Sequence, residues 1–182
     1  MRVARTFAFL DLSGFTDYTA AYGDDAAATI LGKFRTLARE VASARGVRIA
    51  KWLGDGCMVV GVEQESVLEF VTELEHRASH ACAPLILRAG LATGPALLFE
   101  GDDYIGSAVN LAARLCDHAR DVGMLMPTSQ LRHLPEGLAA EPIGEITLRG
   151  FPGSIDVVRI SGVPVPAERR GGDQLSVRDP VL

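Results

Sequence analysis

The spacing of apolar side chains changes period several times along the chain. Over residues 6–12 bulky and small apolar residues alternate, which predicts a strand that Ser13-Gly14 ends. From Asp24 the period lengthens. Ala27, Ile30, Leu31, Phe34, Leu37, Ala38 and Val41 fall on one helical face, with Gly46 as the stop. Residues 47–53 and 57–62 are strand-like on either side of Gly54-Asp55-Gly56, a hairpin pattern with Asp55 at its tip. A helix over 65–81 turns Val67, Leu68, Val71, Leu74 and Ala78 inward and is closed by Pro84. Strands at 86–92 and 96–99 flank a turn at Gly94-Pro95, and 101–106 forms a loop. The next helix, 107–118, offers Ala108, Leu111, Ala112 and Leu115 for packing. A strand at 123–127, a helical turn at 129–134 and two closing strands at 145–149 and 155–160 complete the pattern.

Strands alternating with helices predict a mixed sheet of the α/β or α+β class, with the helices covering one face. Past Ser161 the composition shifts to Pro164, Pro166, Arg169, Arg170, Gly171, Gly172 and Asp173 with few apolar partners. This divides the chain into one folded domain at 1–160 and a flexible tail or linker at 161–182. There is no internal repeat.

Composition narrows the function. The 182 residues suffice for one domain with its own core, and 48% hydrophobic with 23% charged residues is ordinary for a globular protein. A net charge of −5, without any Lys/Arg run, argues against a nucleic-acid partner. Cys57, Cys82 and Cys116 form no C-x-x-C pair, which argues against zinc and for buried thiols in a reducing compartment. No apolar run approaches the roughly 20 residues of a membrane span, and no leader follows Met1. The expected location is the cytoplasm.

Candidate chemistry lies at element ends. Asp11 closes a strand beside Ser13-Gly14, and Asp55 sits between glycines. Each alone fits turn or cap chemistry. Together they could cradle Mg²⁺ or Mn²⁺, which take oxygen ligands and leave positions for phosphate. Asn110 and Arg114 share a helix face, and an amide beside a guanidinium suits a sugar and a phosphate. Alone, that pair fits a solvated helix face equally well.

Five ordered motifs add specificity. Phe9-Leu10-Asp11-Leu12-Ser13-Gly14-Phe15-Thr16 resembles the first metal motif of the class III adenylate and guanylate cyclases, and Lys51-Trp52-Leu53-Gly54-Asp55 resembles the second, K-x-x-G-D. Leu87-Arg88-Ala89-Gly90-Leu91-Ala92-Thr93-Gly94-Pro95 resembles R-x-G-I-H-T-G-P, with Ala92 where the family usually has His. The block from Asp103 to Arg114 resembles D-x-x-G-x-x-V-N-x-A-x-R, and Thr147-Leu148-Arg149-Gly150 resembles the late strand with a phosphate-binding base, often Lys. The resemblance spans about residues 5–160.

It implies a ferredoxin-like α+β catalytic domain with a mostly antiparallel sheet. It also implies adenylate cyclase activity, ATP giving cyclic AMP and pyrophosphate. Asp11, Asp55 and the Leu12 carbonyl would hold two Mg²⁺ or Mn²⁺ ions about 3.5–4 Å apart. Arg114 would stabilise charge at the α-phosphorus, Asn110 would orient the ribose, and Arg88 and Arg149 would hold the β- and γ-phosphates. Lys51 and Asp103 would read the base. Lys51 only donates and ionised Asp103 only accepts, which matches N1 and the exocyclic amine of adenine and mismatches guanine. Asp102 neighbours Asp103, but the count back from Asn110 selects Asp103.

In this family one chain gives the metal aspartates and Arg88, and the other gives Lys51, Asp103, Asn110, Arg114 and Arg149. A chain carrying both sets implies a head-to-tail homodimer, with a regulator possible in a longer parent. The alternatives are a guanylate cyclase and a catalytically idle nucleotide-binding module. A diguanylate cyclase would need a G-G-[DE]-E-F turn that Leu53-Gly54-Asp55-Gly56-Cys57 lacks.

Overall fold

The computed structural model describes residues 2–101, 103–119 and 123–166. The chain runs β1 (Arg2–Ser13), α1 (Phe15–Tyr22), α2 (Asp24–Arg45), β2 (Arg48–Leu53), β3 (Gly56–Gly61), α3 (Gln64–Ala81), β4 (Ile86–Phe99), β5 (Asp103–Ile105), α4 (Ser107–His118), β6 (Met124–Pro127), a 3₁₀ turn (Thr128–Gln130), β7 (Leu138–Ile146) and β8 (Ile155–Gly162). Among the described residues the strands form one sheet in the order β2-β3-β1-β4-β6-β8-β7, with β5 paired to β4. Of the paired strands among these described residues, only β4 and β6 run parallel. The mixed, mostly antiparallel α+β sheet expected from the sequence is what the chain forms.

Helices cover both faces of the sheet, which corrects the expectation of one covered face. The cause is the period-2 alternation of β1. Ala8, Leu10 and Leu12 point into a core closed by α2 and α3 through Phe34, Val41, Leu68 and Phe70. Phe7, one residue out of phase, joins a second core closed by α4 through Ala108, Ala112 and Leu115. β1 is buried on both sides, so its apolar run hid which helix each residue meets.

Gly90 sets how closely α4 lies on the sheet. A Cβ there would come within 2.1 Å of the Cys116 backbone nitrogen and 2.2 Å of the Ala112 carbonyl oxygen. Only a glycine lets helix backbone rest on strand backbone at this point.

Three further expectations need correcting. Gly94-Pro95 is no turn, because β4 runs unbroken from Ile86 to Phe99. Pro95 is opposite Ala4 of β1. On the other side of β4, the stretch between the β6 pairing at Gly90 and the β5 pairing at Leu97 has no strand partner, so a missing N–H interrupts no ladder there. The loop expected at 101–106 contains β5. The closing strand at 145–149 ends at Ile146, and Arg149 lies in the turn that follows.

α1 was not anticipated. It buries no residue fully, so its apolar signal is short and weak. β8 continues to Gly162, paired with Leu138, past the boundary expected at 160. Arg45, on α2, donates to Glu69 (3.1 Å) and Glu73 (2.7 Å) of α3 and to the Val165 carbonyl (3.0 Å), which ties this end of the chain to both helices. Most of the expected tail, residues 167–182, lies outside the described residues.

Candidate active site

The segment 9–16 bends where β1 gives way to α1. Leu12 buries its side chain in the core, so only its backbone faces the cleft. Gly14, at φ 86°, turns the chain into α1, whose N-terminus faces the same space. Asp11 is opposite Gly56 on one side and Arg88 on the other. A Cβ at Gly56 would lie 2.1 Å from the Leu10 carbonyl oxygen, so the second glycine of Gly54-Asp55-Gly56 lets β3 press against β1. That approach brings Asp55 beside Asp11, with the Leu12 N–H donating to the Asp55 carbonyl at 3.4 Å. The resulting cleft of about 260 Å³ is lined by Asp11, Leu12, Ser13, Gly14, Asp55 and Arg88, among others.

Its electrostatics suit a cation. Burial and the neighbouring Asp11 carboxylate push Asp55 above its ordinary carboxylate range. Arg88 donates to Asp11 through Nε (2.9 Å) and Nη2 (2.5 Å), and through Nη1 to the Cys116 and Asp117 carbonyls at the end of α4 (3.3 Å each). Burial works to lower the Arg88 pKa, but the hydrogen bond and charge of Asp11 outweigh it and raise it. Two crowded carboxylates lie near one guanidinium, which is bonded to Asp11, and the Leu12 backbone lines the same cleft. This donor set is all oxygen and open on one side, which fits Mg²⁺ or Mn²⁺. No cluster of three or more His, Cys, Asp or Glu occurs among the described residues. Further coordination positions would therefore fall to backbone, water or substrate.

A second cleft, of about 430 Å³, is lined by Ser107, Asn110, Ala113, Arg114, Arg149, Gly150 and Phe151. α4 presents Asn110 and Arg114 outward because Leu111, Ala112 and Leu115 are committed to the core. Leu148, 4% exposed, anchors the turn that offers Arg149 to the same cleft. Arg114 also pairs with Asp117 at 3.2 Å on the open helix face.

Lys51 and Asp103 form an ion pair, each side chain about half exposed. A register shift between Ile49 and Lys51 re-aims this edge strand, so that Ala50 packs on the α4 side and Trp52 on the opposite side. Tyr104 meets Phe7 edge-on at 5.3 Å, which folds β5 toward the α4 side of the sheet and carries Asp103 to Lys51. Asp102, the neighbouring candidate, lies outside the described residues.

The structure thus gathers the predicted residues into three groups: Asp11, Leu12, Asp55 and Arg88; Asn110, Arg114 and Arg149; and Lys51 with Asp103. The two clefts share no lining residue. Arg88 is engaged by Asp11 and not free for phosphate. Sequence reasoning gave Phe15 and Thr16 no role beyond their place in a motif, and it missed Asp17; all three belong to α1 and line the carboxylate cleft, while Phe151, also missed, lies beside Arg149. Phe15 and Tyr18, at helical spacing and partly packed on the core, were the available signal for α1.

Solved structures share this architecture. The adenylyl cyclase CyaB from P. aeruginosa superposes with a TM-score of 0.68 at 22% identity, over 88% of this chain and 94% of its own. The guanylate cyclase domain of RhGC from Catenaria anguillulae, solved with GTP, gives 0.75 at 17% identity, over 90% and 99%. The fold is that of the class III adenylyl and guanylyl cyclase catalytic domains, and the chain belongs with them. Among curated proteins, an uncharacterized protein of Mycobacterium tuberculosis H37Rv is 36% identical over 143 residues, 79% of this chain and 37% of that protein. A pH-sensitive adenylate cyclase of Mycobacterium tuberculosis CDC 1551 is 31% identical over 160 residues, 85% and 40% respectively. The chain therefore spans about two-fifths of the length of these relatives. No family model matches it. No helix among the described residues is long and apolar enough to cross a membrane.

Proposed function

We propose that this domain is an adenylate cyclase that converts ATP to 3′,5′-cyclic AMP and pyrophosphate at two equivalent sites shared across a head-to-tail homodimer. The observation that carries the reading is the division of labour on one chain. The carboxylate cleft and the Asn110–Arg114–Arg149 cleft have no lining residue in common, so one chain offers two half-sites and a second copy could complete each.

Asp11, Asp55 and the Leu12 carbonyl would hold two Mg²⁺ or Mn²⁺ ions, which when bound lower the pKa of the 3′-hydroxyl and neutralise the triphosphate. Asn110 holds the ribose so that O3′ lies in line with the α-phosphorus. The new O3′–phosphorus bond forms as the bond to the β-phosphate oxygen breaks, with the hydroxyl proton lost to the medium. Arg114 meets the charge that builds on the α-phosphate oxygens, and on this reading it leaves Asp117 for that stronger partner. Arg88 and Arg149 take the leaving pyrophosphate, Arg88 exchanging Asp11 for phosphate once the carboxylate has a cation.

Lys51 and Asp103, already side by side, offer one donor and one acceptor to the edge of adenine. Guanine would face a donor with a donor and an acceptor with an acceptor. Each unmet buried group costs about 1–3 kcal/mol. A regulator joined to this domain in a longer chain would act most directly on the dimer interface.

The test is purified protein at high concentration, incubated with ATP or GTP and Mn²⁺ or Mg²⁺, with cyclic nucleotide and pyrophosphate both measured. Cyclic AMP and pyrophosphate in equal amounts are expected from ATP. No cyclic product would leave the idle binding module, and a preference for GTP would overturn the base assignment.

A further inference from the structure

The turn that carries Asp55 is held from two sides. On one side the Leu12 N–H donates to the Asp55 carbonyl at 3.4 Å. On the other, Arg35 reaches from α2 and donates Nη2 to the Gly54 carbonyl at 3.2 Å. The last register pair of the β2–β3 hairpin is Leu53 with Gly56, so the Gly54 carbonyl lies beyond the ladder and takes its donor from outside.

Arg35 is fixed in place to do this. Its guanidinium lies 5.1 Å from the centroid of the Trp52 ring, two residues before Gly54, and Phe34 meets the same ring edge-on at 6.4 Å. Its Nε is buried with no hydrogen-bond acceptor. A polar atom left in that condition carries a cost, and a flexible arginine would swing out to water unless the stacked plane and the Gly54 bond held it. Arg39, one turn further along α2, also lies 5.1 Å from the Trp52 centroid. Among the described residues it makes no hydrogen bond or ion pair, so it shares the stacking and lacks the bond to the turn.

We propose that Arg35 is a positioning residue for the metal site: stacked on Trp52 and bonded to the Gly54 carbonyl, it fixes the Asp55 turn against β1 and so sets the spacing of the Asp11 and Asp55 carboxylates. Gly54 sits at φ 63°, with no atom within 4 Å of where its Cβ would be. Glycine gives the backbone freedom there, and no side-chain packing holds the turn at that residue. A small drift of the tip would separate the two carboxylates. This inference rests on the reading of the cleft as a divalent-cation site.

Both carboxylates belong to one chain, so Mn²⁺ binding can be measured directly without turnover. Free Mn²⁺ would be followed by electron paramagnetic resonance during titration into the full chain, for wild type, Arg35→Ala, Arg39→Ala and Asp55→Ala. Far-UV circular dichroism checks each fold, and Arg35→Gln is measured in place of Arg35→Ala should the latter not fold. The expectation is an Mn²⁺ affinity about tenfold weaker in Arg35→Ala, as is common when a group orienting a metal ligand is removed, and unchanged in Arg39→Ala. In turnover, Arg35→Ala should recover at saturating Mn²⁺ with its KM for nucleotide little altered. Equal weakening in both arginine variants, or none in Arg35→Ala, overturns the proposal. Wild-type affinity in Asp55→Ala would instead overturn the cation site itself, and the positioning role with it.

Discussion

At the residue scale, the tension lies in Asp55. Burial and Asp11 hold its carboxyl above the usual range, so in the metal-free protein its charge works against the fold. For a carboxylate raised in this way, stability is fullest below its unfolded pKa and is lost as pH rises through the folded value. Asp55→Asn removes that loss. With metal chelated, the variant should melt at nearly the wild-type temperature near pH 3 and only about 1–3 °C higher at neutral pH, because solvent screens the charge of a carboxyl this exposed. The proposed cyclase activity should be lost in it. Calorimetry over pH with EDTA present checks the first point, and a variant less stable than wild type at neutral pH would refute it. Site residues of this kind are commonly kept at the expense of stability.

At the scale of elements, two glycines decide the site. Gly90 lets α4 rest on β4, and Gly56 lets β3 close on β1 beside Asp11. Gly90→Ala should destabilise the domain by about 3 kcal/mol, since its methyl would meet only backbone. Gly32→Ala is the control. That glycine lies inside α2 with open space around it, and alanine there should stabilise by about 0.5–1 kcal/mol. Urea unfolding of both variants measures the contrast, and equal effects would count against the packing argument.

The long helices and the Asp55 hairpin were legible from periodicity and from glycines around a polar tip. α1 was not, because eight residues that bury none fully leave little pattern. The unbroken β4 was hidden by Gly94-Pro95, whose turn chemistry is overridden by continuous pairing with β1 from Ile86 to Leu97. Asp11, Asp55, Asn110 and Arg114 stood out because motif order linked them. Arg35 carried no such signal. On α2 it is one polar residue among several, and its role exists only where Trp52 and Gly54 arrive from another element.

At the scale of the whole molecule, the separation of the two clefts makes a prediction about mixed chains. Asp55→Ala spoils the carboxylate half and Arg114→Ala spoils the other. Each homodimer would then be dead at both sites, while a mixed dimer keeps one intact. Mixing the two inactive proteins should restore activity to about a quarter of wild type at equal amounts, since half the dimers are mixed and each has one working site. Activity of the mixture against the separate proteins checks this, with cross-linking of differently tagged chains to verify that mixed dimers form. Mixed dimers without activity would rule out the shared site.

α4 itself links the two halves. Its outward face carries Asn110 and Arg114, while the carbonyls of Cys116 and Asp117 at its end hold Arg88 over Asp11. Gly90 leaves no slack between this helix and the sheet. On the proposed dimer, a push on α4 from a nucleotide at one site would therefore reach Arg88 at the other. The helix is a lever with a hand at each end, and in the proposed symmetric pair filling one pocket would load its twin.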